Sequence, residues 1–283
     1  VREKEIERKA GVEKTAGFFL MLFIVAGTFA VVYGILYVAN LIHPVLRFCL
    51  ETFFIYQILA TKSLKTESMK VYKKLKEGDL IGARKEVSYL VGRDTENLDE
   101  SEVAKADVET IAENTADGVI APMLFIAIGG APLGFAYKAV NTLDSMVAYK
   151  NEELINIGFF SAKMDDICNF IPARFAAVML MIASLILRFD FKGAVKIFKR
   201  DRFAHLSPNS AQTEAVAAGA LQIQLGGTHN YFGKAVVKPT IGDDIRPVEY
   251  EDIKRTNQLL YVSAVLSMAV CCLITFLIYV QLF

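Results

Sequence analysis

The sequence contains no tryptophan, and it has only three histidines and four cysteines among its 283 residues. The cysteines form no Cys-x-x-Cys pair, and two of them, Cys271 and Cys272, are neighbours in an apolar run. This spacing gives no basis for a zinc site or a disulfide framework. We expect buried thiols, because free cysteine packs like a small hydrophobic residue.

The sequence also lacks an excess of charge of either sign, because 31 basic residues balance 31 acidic residues. Proteins bind nucleic acids mainly through a surplus of basic groups that faces the phosphates. We therefore expect no nucleic-acid partner.

Charged residues are missing from two long stretches, 15–46 and 256–283, and 54% of the chain is hydrophobic. Each stretch exceeds the ~20 apolar residues that cross a bilayer. The first is also too long for the apolar part of a signal peptide, and no small-residue cleavage site follows it. The pattern predicts an all-α, polytopic helical membrane protein that forms a single integral membrane domain over residues 1–283.

The apolar segments predict membrane spans at about 18–41, 45–60, 118–137, 171–187 and 258–281. Glycines and prolines interrupt the third, which is either one broken span or a re-entrant pair. We expect amphipathic helices in the cytosol between the spans, including an insert over about 62–110 whose first part is rich in basic residues. A Gly-rich polar loop is expected over 226–247.

Acidic residues cluster at two span edges. Glu109, Glu113 and Asp117 follow one another at four-residue intervals and share a face of a predicted helix. Either protein bases or a metal must face three such acids, unless this face is simply solvated. Asp165 and Asp166 stand where another apolar run begins, and oxygen ligands suit Mg²⁺ bound to nucleotide phosphates. A helix-capping role is the alternative for one of these two.

Basic residues suggest phosphate binding. Arg200 and Arg202 are followed closely by His205 and Asn209, and guanidinium groups bind phosphate oxygens. The alternative is a basic helix that lies on anionic lipid. Arg174 lies inside an apolar run, where it needs an anion or a carboxylate as its partner.

Two further segments carry polar candidates. Gly226 and Gly227 precede Asn230, and glycine lets a backbone approach a phosphate closely. Asn141 and Asp144 are three residues apart and share a predicted helix face, and Lys138 precedes Asn141 by three residues. Helix capping or surface polarity would also explain these polar residues.

Four segments together carry a resemblance to a known family. They read VGRDTENLDESEVAKADVETIAENTADGVIAPMLFIAIGGAPLGFAYKAVNTLDSMV (91–147), SAKMDD, RDRFAHLSPN and QLGGTHNYFG. In these motifs and over nearly the whole chain, the sequence resembles the adenosylcobinamide-phosphate synthases of cobalamin biosynthesis. Members usually begin with a further apolar segment and a G-D-P…H-P-V motif, which this sequence lacks, and Ala148 stands where they usually have glycine.

The resemblance implies a membrane ligase that uses ATP and Mg²⁺. Such an enzyme joins adenosylcobyric acid to (R)-1-amino-2-propanol phosphate, or to ethanolamine phosphate, and releases adenosylcobinamide phosphate. The roles then expected are metal ligands Asp165, Asp166, Glu109 and Asp117; ATP or phosphate ligands Arg200, Arg202, Gly226, Gly227, Asn230, Asn209 and Lys138; and catalytic or orienting groups Asp144, Asn141, Glu113 and His205.

The expected location is the cytoplasmic membrane, with the active site on the cytoplasmic side. The expected partners are the corrinoid, aminopropanol phosphate and the lipid bilayer, and a homo-oligomer is compatible with this interpretation. The alternative is a non-catalytic membrane transporter or carrier of a corrinoid or another anionic substrate, which a broken helix around Gly129–Gly134 would suit.

Overall fold

The structure, a computed structural model, describes residues 2–147, 154–231 and 233–282, so that Ala148 lies outside the described residues. These residues form ten α-helices, one π-helical turn and one β-hairpin. The elements are α1 (Arg2–Ile42), α2 (Pro44–Ile58), α3 (Thr61–Lys76), α4 (Leu80–Ser88), α5 (Glu100–Asn114), the π-helical turn (Thr115–Ile120), α6 (Ala121–Val147), α7 (Phe159–Ile186), α8 (Phe191–Asp201), α9 (Ser210–Leu221), β1 (Leu225–Tyr231), β2 (Lys234–Ile241) and α10 (Tyr250–Leu282).

Four helical stretches of the described chain are long and apolar enough to cross a membrane, judged by length and composition. They are Lys9–Ile42, Glu100–Val147, Phe159–Ile186 and Tyr250–Ile278. The all-α membrane fold class is therefore confirmed. Helix α2, in the segment predicted as span 45–60, has 15 residues and is about 22 Å long. It is shorter than the ~30 Å hydrocarbon core of a bilayer.

The chain divides into two compact units, each of which is built from separated stretches. Unit 1 comprises Val1–Leu59, Pro122–Asn169 and Cys271–Phe283, whereas unit 2 comprises Ala60–Ala121 and Phe170–Val270.

Unit 1 contains the interruption of α6. Gly129 and Gly130 leave the helical conformation there, and Gly130 adopts a φ of 66°. The carboxylate of Glu51 in α2 accepts a hydrogen bond from the Ala131 N–H at 3.4 Å. This contact satisfies a backbone donor that the break leaves without a helical partner.

In unit 2, α8 packs against α9 through two glycines. A Cβ atom added to Gly219 would lie 2.4 Å from the carbonyl oxygen of Gly193, so the two backbones approach closely. Every residue of α9 is buried. The apolar face of α8, with Ala194 and Ile197, is also buried.

The segment 226–247, expected as a loop, instead contains most of an antiparallel β-hairpin. Strand β1 pairs with β2, and the register shifts between Gly226 and Thr228. Gly226 and Gly227 have φ values of 73° and 101°, a region that glycine enters without strain. The two glycines that suggested a loop therefore form a bulge inside the hairpin.

We predict that Gly219→Ala destabilises the protein by about 1–3 kcal/mol, because the added methyl group overpacks the contact with α8. Thermal unfolding followed by circular dichroism in detergent measures this as a lower Tm. Gly34→Ala is the matched control, since a Cβ there meets no atom within 4 Å. Equal Tm values for the two variants would contradict the prediction.

Candidate functional site

Unit 2 contains a polar cavity of about 160 Å³ that opens to solvent on one side. It is bounded by α5, the segment before α5, the loop between α8 and α9, α9 itself and the β-hairpin. The charged and hydrogen-bonding side chains that line it are Arg93, Glu109, Thr110, Glu113, Asn114, His205, Glu214, His229, Tyr231 and Lys238.

Arg93 and Glu109 hold one wall of this cavity. The side chain of Arg93 is only 5% exposed, and its Nη2 donates to Glu109 Oε2 at 2.9 Å. The other carboxylate oxygen, Oε1, accepts from the backbone N–H of Gly226 at 2.7 Å. Arg93 Nε is buried and has no hydrogen-bond partner among the described residues. An unpaired buried donor is costly, and an anionic ligand would remove that cost.

Glu113 and Glu214 lie on facing helices. Ser210 Oγ donates to Glu113 Oε1 at 2.7 Å, and Glu214 follows Ser210 by one turn on α9. Burial raises the pKa of Glu214 well above its usual value, and the negative charges of Glu113 and Glu109 raise it further. Glu214 therefore keeps its proton at pH values where an exposed glutamate has lost it.

Both histidines of the cavity are held neutral. Burial lowers the pKa of His205, and its Nδ1 accepts from the Ser207 N–H at 3.1 Å, which assigns the proton to Nε2. Burial lowers the pKa of His229 to about 4, and the nearby charge of Arg93 adds to this effect. His229 Nε2 is buried without a partner in the described part of the chain.

Four of the site residues predicted from the sequence line this cavity, namely Glu109, Glu113, His205 and Gly226. Gly227 is the next residue of β1, but it is not among the residues that line the cavity.

Two other candidates in unit 2 lie away from the described lining. The side chain of Asn230 is exposed, while its carbonyl oxygen accepts from the Asp94 N–H at 2.9 Å. Asp117 lies in the π-helical turn, where the helical period changes. A residue four positions beyond Glu113 is therefore not held on the face of α5 that Glu109 and Glu113 share.

Arg200 already has carboxylate partners. Its guanidinium binds Asp201 at 2.7 and 2.8 Å and also binds Asp243. These two partners raise the pKa of Arg200. Its assignment as a phosphate ligand stays a prediction.

Arg202 and Asn209 have different surroundings. The Arg202 guanidinium lies 4.8 Å from the ring centroid of Phe203, and its Nε is buried without a partner among the described residues. Asn209 is buried and accepts from Arg174 Nη1 at 3.3 Å. The intramembrane guanidinium of Arg174 thus binds an amide oxygen, and it also donates to the Phe170 carbonyl at 2.6 Å.

Unit 1 holds the other predicted residues, and Asp165 is the centre of their network. Asp165 is buried and accepts from Asn169 Nδ2 at 2.9 Å and from Asn141 Nδ2 at 3.4 Å. The hydroxyl of Tyr137 donates to Asn169 Oδ1 at 2.7 Å. This chain of hydrogen bonds orients the Asp165 carboxylate.

The remaining candidates of unit 1 are near Asp165 in sequence or on α6. Asp166 lies 3.8 Å from Lys163 Nζ, while Lys138 and Asp144 lie one turn either side of Asn141 on α6. Within the described ranges, no group of three or more His, Cys, Asp or Glu side chains has the geometry of a metal site.

The sequence patterns missed seven of the ten polar lining side chains, namely Arg93, Thr110, Asn114, Glu214, His229, Tyr231 and Lys238. Five of them, all except Glu214 and Lys238, lie inside the segments that carry the family resemblance. Glu214 had a different signal, because it is the one acidic residue of an alanine-rich helix, where a charged group is out of place.

Comparison with known proteins gives a consistent family. A family model described as CobD/Cbib protein matches residues 1–260. The chain is 55% identical over 261 residues to the cobalamin biosynthesis protein CobD of Clostridium perfringens (strain 13 / Type A), covering 92% of this chain and 83% of that one.

Other relatives agree. The chain is 53% identical over 247 residues to the CobD protein of Streptococcus sanguinis (strain SK36), covering 87% and 78% of the two chains. It is 46% identical over 256 residues to the cobalamin biosynthesis protein CbiB of Salmonella choleraesuis (strain SC-B67), covering 90% and 80%. No solved structure matches.

We predict that Glu214→Gln stabilises the protein and that the gain grows from pH 5 to pH 8. The native carboxyl has a raised pKa and binds its proton more tightly than the unfolded chain does. Wild-type stability is therefore lost as pH rises from the ordinary glutamate pKa towards the raised one, by about 1.4 kcal/mol per pH unit. Glutamine removes this dependence. Circular dichroism melts at the two pH values measure the difference in Tm.

The control is Glu96→Gln, which changes an exposed carboxylate of the same unit. Its Tm should differ from that of the wild type by a similar amount at both pH values. His205 and His229 are present in all three proteins, so their titration cancels. A Glu214→Gln offset that stays constant with pH would contradict the prediction.

Proposed function

Since the chain belongs to the CobD/CbiB family of cobalamin biosynthesis proteins, we propose that it is an ATP-dependent amide ligase. Its substrates are adenosylcobyric acid and (R)-1-amino-2-propanol phosphate, or ethanolamine phosphate. Its product is adenosylcobinamide phosphate. These substrates and this product are the ones implied by the resemblance of the four sequence motifs to the family.

The cavity of unit 2 is the observation that supports this proposal most. It has cationic groups, Arg93 and Lys238, beside backbone glycine, and it also has the carboxylates of Glu109 and Glu113. An aminoalkyl phosphate carries both a dianionic phosphate and an ammonium group, so it complements both sets. The volume of about 160 Å³ is below the ~300–1,000 Å³ of pockets for drug-sized ligands and suits such a small molecule.

We assign the phosphate of the amine substrate to the Arg93 side of the cavity. Arg93 Nε is a buried donor without a partner in the described structure, it belongs to a residue that lines the cavity, and its position is fixed through Glu109. A guanidinium donates to phosphate through two parallel bonds, which fixes the orientation as well as the position of the ligand. The amine is thereby held for attack, which is the main catalytic contribution expected of such a site.

Asp165 and Asp166 are the residues of this chain that would hold Mg²⁺. Mg²⁺ bound with nucleotide phosphates uses one or two carboxylates, so two adjacent acids with a carboxylate oriented by amides fit this ion. The carboxylate of Glu109 is already paired with the buried guanidinium of Arg93, whereas Asp165 accepts only from neutral amides among its described hydrogen bonds, so the metal proposal rests on the two aspartates. When bound, Mg²⁺ and ATP supply the phosphoryl group that converts the corrinoid carboxylate into an acyl phosphate.

The proposal places the protein in the cytoplasmic membrane with its active site on the cytoplasmic side. The support is the positive-inside rule, because the basic residues of α3 and α4 lie in a connection between apolar helices.

We expect purified protein in detergent to consume ATP only when Mg²⁺, adenosylcobyric acid and aminopropanol phosphate are all present. The reason is that the acyl phosphate requires the carboxylate, and turnover requires the amine. Mass spectrometry of the product measures the amide directly. Binding of the corrinoid without any ATP consumption or amide would instead support a carrier or transporter.

We further predict that Arg93→Lys raises the KM for aminopropanol phosphate about tenfold or more. Lysine keeps the charge but loses the planar pair of donors, and hydrogen bonds to charged groups are worth about 1.5–3 kcal/mol. Steady-state kinetics with each substrate varied in turn measures this effect, and the KM for ATP should change little.

The matched control for this variant is Arg84→Lys. Arg84 lies in the same unit, and its Nε donates to the Leu98 carbonyl outside the cavity. An equal change in the KM for ATP and for the amine, or none for either, would contradict the assignment of Arg93 to the phosphate.

A further inference from the structure

Arg174 lies on a face of α7 that the described residues leave exposed. The apolar residues Ile171, Val178, Ile182 and Leu185 share this face at helical spacing and are all exposed. Arg174, three residues beyond Ile171, lies within the same stripe and is only partly buried. Because α7 is long and apolar enough to cross a membrane, this stripe faces lipid when the protein is in a bilayer.

Arg174 has only neutral hydrogen-bond partners. Its Nη1 donates to the Phe170 carbonyl at 2.6 Å and to Asn209 Oδ1 at 3.3 Å. Among the described residues, the one neighbouring charge that acts on Arg174 is another cation, Arg202. An arginine within an apolar run requires an anionic partner, and the described part of the chain does not supply one.

Arg202 lacks an anionic partner in the same way. Its neighbour in sequence, Asp201, is bound by Arg200 and by the Gly242 N–H instead. Arg202 Nε is buried and has no hydrogen-bond partner within the described ranges. The guanidinium lies against an aromatic ring, 4.8 Å from the ring centroid of Phe203. Its donors are therefore available to an anion.

The loop 202–209 holds the two arginines near each other within unit 2. Asn209, at the end of the loop, accepts from Arg174, and Gln212 Nε2 donates to the carbonyl of Arg202, at its start, at 2.9 Å. Two positive charges held close together repel each other, and an anion between them removes this cost. Guanidinium groups donate in a planar geometry that matches the oxygens of a phosphate.

Exposed apolar side chains surround the two arginines. Phe203 and Leu206, in the loop itself, are 63% and 64% exposed. Phe170, whose ring centroid lies 3.6 Å from the Arg174 guanidinium, is exposed as well. A small soluble anion would leave these side chains in water, whereas a lipid would cover them while its phosphate meets the arginines.

We propose that Arg174 and Arg202 form a binding site for the phosphate group of an anionic phospholipid. The acyl chains of this lipid lie along the exposed stripe of α7 and against the apolar side chains of the 202–209 loop. The site gives Arg174 the anionic partner that its position requires. It assigns Arg202 to a lipid phosphate instead of to the nucleotide expected from the sequence. The inference is independent of the proposed ligase reaction, so its test needs no turnover.

The test measures lipid binding by native mass spectrometry of the full chain, delipidated in detergent, with two lipids that share the same acyl chains. We expect the wild type to bind dioleoyl phosphatidylglycerol about fivefold or more tightly than dioleoyl phosphatidylcholine, because the choline cation is repelled by the arginines. In Arg174→Gln/Arg202→Gln, the affinity for phosphatidylglycerol should fall about tenfold or more, since two charged donors are lost. The affinity for phosphatidylcholine should change little.

The matched control is Lys192→Gln/Lys199→Gln, which removes the same number of positive charges from the exposed face of α8. Its affinity for phosphatidylglycerol should remain close to that of the wild type. Phosphatidylglycerol should also raise the Tm of the wild type and of this control, but not that of the arginine variant. If the double arginine variant does not fold, Arg202→Gln alone serves, because it leaves the contact between Arg174 and Asn209 in place.

Four results would each overturn the inference. An equal loss in the lysine variant would show general attraction to anionic lipid, and a wild type without preference for phosphatidylglycerol would have no such site. Displacement of phosphatidylglycerol by Mg-ATP or by inorganic phosphate would assign the two arginines to a soluble phosphate. A lipid-free dimer that the arginine substitutions abolish would make this face an interface between two copies of the chain.

Discussion

The carboxylate of Glu109 is the contact on which the geometry of the cavity depends. It binds the buried guanidinium of Arg93 through one oxygen and the backbone of the β1 bulge through the other. If either bond were missing, a buried charge or a buried amide would be left without a partner, at a cost of several kcal/mol. One side chain on α5 thus fixes the positions of both the segment before it and the hairpin that follows far later in the chain.

Burial sets the protonation states of the groups around that contact. The two histidines are neutral because their charged forms would lose hydration, and Glu214 holds its proton for the same reason. The paired Arg93 and Glu109 keep opposite charges in contact, and Lys238 adds a further cation to the lining.

Sequence periodicity predicted the parts of this structure that depend on local pattern. The apolar runs gave the membrane helices, and the spacing of Glu109 and Glu113 placed both on one face of α5. Asp117 did not follow them, because the π-helical turn changes the period in a way that spacing alone does not reveal. The β-hairpin and the partners Arg93 and Glu214 depend on contacts between distant segments. Contacts between distant segments also decide which polar residues of the RDRFAHLSPN motif reach the cavity. His205 lines it, whereas Arg200 binds Asp201 and Asp243 instead.

The division of unit 2 into two stretches has a consequence for biosynthesis. Helix α5 emerges from the ribosome well before α9 and the hairpin, and α6, α7 and α8 are all made in between. During that interval Glu109 and Glu113 have neither the Gly226 amide nor the Ser210 hydroxyl as partners. Water must solvate the carboxylate oxygens that these two partners later bind, which opposes the entry of both side chains into the hydrocarbon while the following apolar helix inserts. The same acids that later line the cavity would in this way help to hold the start of the 100–147 helical stretch at the membrane surface during translation.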